Sequence, residues 1–90
     1  MINAMKKGKT IHDLRYQSLI SGLTQERIRL SISQNQLARQ VGLNQSDISK
    51  IEKNEKRLDV LEFVLILEAL RISDNERLQM IVSEFIRTPQ

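Results

Sequence analysis

Residues 33–57 read SQNQLARQVGLNQSDISKIEKNEKR, and the reading of this stretch decides the fold. Val41, Leu43, Ile48 and Ile51 are spaced as part of a core, and between them lie short polar residues: Asn44, Gln45, Ser46, Asp47 and Ser49. A solvated helix face is usually built from Glu, Lys and Arg, which form helices better than Asn, Ser or Asp. The polar run therefore either caps and turns the chain or offers hydrogen-bonding groups to something that reads them.

Working outward, one local device recurs. Ser33-x-x-Gln36, Asn44-x-x-Asp47, Asp59-x-x-Glu62 and Ser73-x-x-Glu76 all match or approximate a capping box, at spacings of 11, 15 and 14 residues. In such a box the first side chain accepts from an orphan backbone N–H, and the acid or amide three residues on reaches back. Repeated at that interval, the pattern predicts short helices in series. No long apolar–polar alternation and no strand-bounding turn cluster occurs, so the chain reads all-α. Helices are expected over about 11–30, 34–41, 45–53, 60–71 and 74–87, after a loose basic arm at 1–10. The first carries Ile11, Leu14, Leu19, Leu23 and Ile28 among its apolar positions. The last shows Leu78, Ile81, Val82 and Phe85 at i, i+3, i+4 and i+7, the stripe of one buried face. Gly42 suits a left-handed residue between the second and third helices, and Asn54 the same role after the third.

Ninety residues are enough for one core and one domain, here 11–88. Aromatic content of 3% confines stacking chemistry to Tyr16, Phe63 and Phe85, which argues against a single-stranded nucleic-acid platform. The absence of cysteine excludes disulfides, thiolate metal sites and thiol nucleophiles, and it fits a cytoplasmic location. The basic start (Lys6, Lys7, Lys9) is not followed by an apolar stretch of the kind a secretory signal needs, so no signal is expected. The most apolar run, VLEFVLILEALRI at 60–72, is broken by Glu62 and Glu68 and is too short to span a bilayer, so no membrane partner is expected. Net charge is +3, but residues 1–30 hold six Lys/Arg against two acids while residues 61–90 hold three against five. That asymmetry suits a polyanion at one end of the molecule, and a solvated surface with a basic tail explains it equally well. His12 has no partner at metal-ligand spacing, and no nucleophile–base set can be composed. No metal, no catalytic residue and no cofactor are therefore expected, and the chain is read as a non-enzyme.

Two short helices joined by a glycine-containing turn, about 34–53, make a helix-turn-helix candidate. The second of the pair projects its N-terminal residues outward, where a DNA major groove can take them. With Ile48 and Ile51 turned inward, Gln45, Ser46, Ser49 and Lys50 form the outer face. Gln can bond the adenine N6/N7 pair, Lys can reach guanine O6/N7, and Ser pairs with either. A structural helical hairpin remains the competing reading of composition and spacing alone.

The segment 33–57 resembles the helix-turn-helix of the phage repressor and Cro family, also called the xenobiotic-response-element (XRE) family. The resemblance rests on the Ser33-Gln34 opening, the Leu37-Ala38 pair, the Val41-Gly42 turn, and Ile48, Ser49, Ile51 and Glu52 at their fixed spacing. It implies a five-helix lambda-repressor-like bundle that binds double-stranded DNA and regulates transcription. It implies base contacts at Gln45, Ser46, Ser49 and Lys50. Backbone contacts are implied at Gln34, Asn44, Lys53, Lys56 and Arg57, and a structural ion pair between Arg27 and Glu52. The family often has Gly where Asn54 stands and Pro near Leu58. Simpler readings stand beside these roles: Asn44 as a cap, Asp47 as its box partner, Ser49 as a solvated helical residue. Lys53, Lys56 and Arg57 could likewise belong to a charged face shared with Glu52, Glu55 and Asp59.

The fourth helix has almost no polar face, which favours a homodimer closed through about 60–87, against a helix buried within one subunit. Dimerisation also fits the reading, because twin half-sites multiply the specificity of a short helix. Repression is the expected action. An antitoxin, in which the apolar C-terminal helices mask a toxin protein, and a protein-binding helical adaptor are the alternatives. No effector domain is expected after the fifth helix, and hence no small-molecule ligand.

Overall fold

The computed structural model describes residues 12–87. These fold into five α-helices: α1 (Leu14–Arg29), α2 (Gln34–Val41), α3 (Gln45–Glu52), α4 (Val60–Ala69) and α5 (Glu76–Ile86). The described residues contain no strand, and the architecture is all-α. The expected basic arm, 1–10, lies outside the described residues, as does Ile11.

Each helix start has a side-chain cap. Asp13 opens α1 by accepting from the N–H groups of Arg15 (2.8 Å) and Tyr16 (3.2 Å), so the helix begins three residues later than expected. Ser33/Gln36 and Asp59/Glu62 both close as reciprocal capping boxes at α2 and α4. Asn44 accepts from Asp47 N–H at 2.9 Å, and the Asp47 carboxylate reaches Lys56 Nζ at 3.1 Å. The Ser73 box does not form. Residues Ile72–Asp74 make a 3-10 turn, and Asn75 caps α5 by accepting from Leu78 N–H at 3.0 Å. Asn75 wins that role because its amide also donates to Leu70 O (3.0 Å) and Glu26 Oε2 (2.8 Å), tertiary partners that Ser73 lacks.

Gly42 ends α2 at φ 75° and Asn54 follows α3 at φ 63°, both left-handed, as are Ser31 and Arg71 in the connections after α1 and α4. On either side of Gly42, α2 and α3 pack against each other, with Ala38 of α2 fully buried. The core gathers Leu19, Ile20 and Leu23 from α1, Leu37 and Val41 from α2, Ile48 and Ile51 from α3, Ile66 and Leu70 from the α4 end, and Leu78 from α5. Each such side chain contributes about 1.5–3 kcal/mol by leaving water. Ile81, Val82 and Phe85 pack half-buried beside Leu78, and Phe85 meets Phe63 of α4 edge-on with ring centroids 6.4 Å apart. Leu14 and Ile28 differ from expectation: both lie on the solvent side of α1. In α4 only Ile66 is fully buried, while Val60 is 80% and Leu61 66% exposed. This helix is not buried on all sides within the subunit.

Candidate nucleic-acid interface

The outer face of the helix-turn-helix is built on α3. Ile48 and Ile51 anchor the helix inward, and that leaves Gln45, Ser46 and Lys50 exposed on one side, with Ser49 half-buried at its edge. Asn44 stands exposed at the N-terminus with its side-chain oxygen engaged as the cap. Lys53, Lys56 and Arg57 follow in the loop to α4, where Glu55 and Lys56 both donate their backbone N–H to Lys50 O, at 2.8 and 3.2 Å. The loop is thereby folded back against the end of α3.

Two side chains hold this loop. Lys56 pairs with Asp47, and that hydrogen bond keeps the Asp47 carboxyl below its ordinary range. The pair also offsets the one acidic charge in the first turn of α3, which would otherwise repel phosphates. Tyr16 of α1 accepts from Leu58 N–H at 2.9 Å, across 42 residues of sequence. Burial pushes the Tyr16 hydroxyl above its usual range, against the Leu58 N–H bond, which pulls it the other way. Sequence reasoning missed Tyr16: its partner is a backbone group, and no local pattern announces it.

Behind α3 lies a connected polar network. Arg27 Nε and Nη2 donate to Glu52 Oε2 and Oε1 at 2.7 and 3.0 Å, a two-pronged ion pair with both side chains close to 90% buried. Arg27 Nη1 donates to Ile32 O at 2.7 Å, so one guanidinium joins the end of α1, the turn into α2 and the end of α3. Gln34 Nε2 donates to Glu52 Oε1 at 2.9 Å, and Gln45 Nε2 donates to Gln34 Oε1 at 3.0 Å. The network therefore runs from the interior to the exposed start of α3. Gln34 retains a second amide hydrogen, so these bonds leave it able to donate to a phosphate.

The arrangement suits DNA rather than a reaction centre: exposed amide, hydroxyl and ammonium groups on a rigid helix, flanked by cations on a tethered loop. Among the described residues no helix is long and apolar enough to cross a membrane. No curated protein matches the chain. The sequence model of the helix-turn-helix family matches residues 23–76, which takes in the second half of α1, all of α2, α3 and α4, and the capping turn of α5. With more than half of its length matched and the two-helix motif in place, the chain belongs to the Cro/C1-type helix-turn-helix family, the XRE family of DNA-binding regulators.

Proposed function

We propose that this protein is a transcriptional repressor that binds duplex DNA sequence-specifically as a homodimer in the cytoplasm. In this reading α3 enters the major groove, and Gln45, Ser46, Lys50 and, at the edge, Ser49 meet base edges. Gln34, Asn44, Lys53, Lys56 and Arg57 grip the flanking phosphates, which fixes register without carrying sequence information. The observation that carries the proposal is the face of α3, where neutral hydrogen-bonding side chains stand exposed beside a cationic loop held by Tyr16 and Asp47.

The dimer is supported by α4. Val60, Leu61 and Val64 leave an apolar strip in solvent at the end of α4 next to the cationic loop. Closing that strip, together with α5, around a two-fold axis buries it and sets two α3 helices against half-sites about 34 Å apart. The same strip also supports the antitoxin reading, with a toxin protein as its cover. A toxin gene beside this one would favour that reading.

The test is a mobility-shift titration on the inverted repeat nearest upstream of the protein's own gene, with a scrambled duplex of equal composition as competitor. Retardation that the scrambled duplex fails to compete is expected. Equal competition by both duplexes overturns sequence-specific binding, and no retardation at low salt overturns DNA binding altogether.

A further inference from the structure

α1 and α5 run antiparallel: Gly22 faces Ile81, and one turn on Glu26 meets the Asn75 cap. A Cβ at residue 22 would stand 2.9 Å from Ile81 Cγ2, so the missing side chain lets the two helices close. Along their junction runs an open groove of about 600 Å³. Leu19, Ile81 and Phe85 make its apolar floor, and Met80 stands exposed at the edge. The charges along the groove differ in what they offer. Glu26 is buried beneath Arg29, and Glu84 lies 3.5 Å from Arg87. The Arg77 guanidinium makes no ion pair among the described residues, and Arg29 lines the same end of the groove. That end is therefore cationic. None of the lining residues belongs to α3 or the loop after it, so filling the groove leaves α3 free for DNA.

A segment with the complementary chemistry lies on the same chain. In α4, Val60, Leu61 and Val64 form the exposed apolar strip, and Glu68 stands exposed one turn beyond Val64 on the same face. Glu68 makes no ion pair among the described residues, and α4 contains no basic residue. We propose that the α1–α5 groove receives α4 of a second copy, with the Val60–Val64 strip on the Gly22–Ile81 floor and Glu68 against Arg77. An extended segment fits this groove poorly, because its walls are helices and offer no sheet edge to pair with. A third helix fits well, since its side-chain ridges pack between those of the other two. The proposal rests on the reading of the protein as a dimer and names the surface that closes it. By two-fold symmetry each α4 enters the other subunit's groove, so the contact is made twice.

The test is sedimentation equilibrium of the full chain and its charge variants. Wild type should dimerise. Arg77→Glu and Glu68→Arg each set like charges against each other in both contacts, and each should raise the dimer Kd by roughly tenfold. An equimolar mixture of these two variants should regain the wild-type Kd, because each subunit then offers the other an opposite charge in both contacts. Arginine suits the C-terminal turn of α4, and circular dichroism checks that both variants keep their helix. Arg77→Gln adds no acid near Glu26 and should raise the Kd by roughly threefold, which keeps the test valid if Arg77→Glu does not fold. A dimer as tight as wild type in every variant overturns the pairing and leaves the dimer itself standing. A mixture no tighter than its components does the same. A wild-type chain that is monomeric at high micromolar concentration overturns the dimer, and with it the proposal.

Discussion

Glu26 and Asn75, 49 residues apart, share a hydrogen bond of 2.8 Å in the interior of the protein. The carboxylate is 97% buried in its side chain and also binds Arg29, while the amide both caps α5 and holds the end of α4 through Leu70 O. One asparagine therefore joins α1, α4 and α5, and with Glu26 it forms the polar counterpart to the Leu23–Leu70–Leu78 core.

Replacing Asn75 with Ala should lower the unfolding free energy by about 2–3 kcal/mol, combining a lost cap with a buried carboxylate short of one donor. Ser73→Ala should stay within about 0.5 kcal/mol of wild type, as an exposed position outside the cap does. Urea midpoints of the two variants compare them directly.

Arg29 above all, with Asn75 adding to it, holds the Glu26 carboxyl below its ordinary 4.5 despite the opposing pull of burial. A depressed folded-state value means that the stabilisation is fully present above the ordinary value and is lost as pH falls through the lowered one. Stability should thus decline on acidification below about pH 5, with Asp47, held low by Lys56, adding to the fall further down. Glu26→Gln should be less stable than wild type at neutral pH and show a flatter acid limb in urea titrations across that range.

Tyr16→Phe removes the acceptor of Leu58 N–H and keeps the ring. It should cost about 1–2 kcal/mol in stability. Since the freed loop carries Lys53, Lys56 and Arg57, DNA affinity should fall by a similar factor on all sequences, as read in parallel titrations of specific and scrambled duplexes.

Lys50 and Arg57 are expected to act differently. Lys50→Ala should relax sequence preference. Arg57→Ala should weaken binding evenly and reduce the slope of log K against log salt by about one unit. Salt-titrated anisotropy on both duplexes checks this, and identical behaviour of the two variants would refute the division between base and phosphate contacts.

Leu61→Glu, at a side chain 66% exposed in the single subunit, should leave the helical content unchanged and shift the protein from dimer to monomer. Light scattering reads the change. A wild-type protein that is monomeric at high micromolar concentration would refute the dimer.

Much of the molecule is legible in local sequence. The Ser33, Asn44 and Asp59 caps, the left-handed Gly42 and Asn54, and the inward Ile48 and Ile51 all depend on residues within one or two turns of each other, so their spacing carries the information. The outward set on α3 follows from the same periodicity. Tertiary packing decided what short-range signals leave open. Asn75 displaced Ser73 as a cap because Glu26 and Leu70, brought near only by folding, supply it with partners. Leu14 and Ile28 fit the helical pattern of α1 yet face solvent, since which apolar side is buried depends on where α5 and α3 dock. The chain from Arg27 through Glu52 and Gln34 to Gln45 was half visible as a family pairing of Arg27 with Glu52. Its extension to Gln45 needed the crossing of α2 and α3, because hydrogen bonds between side chains 11 to 25 residues apart are set by helix packing rather than by any spacing along the sequence.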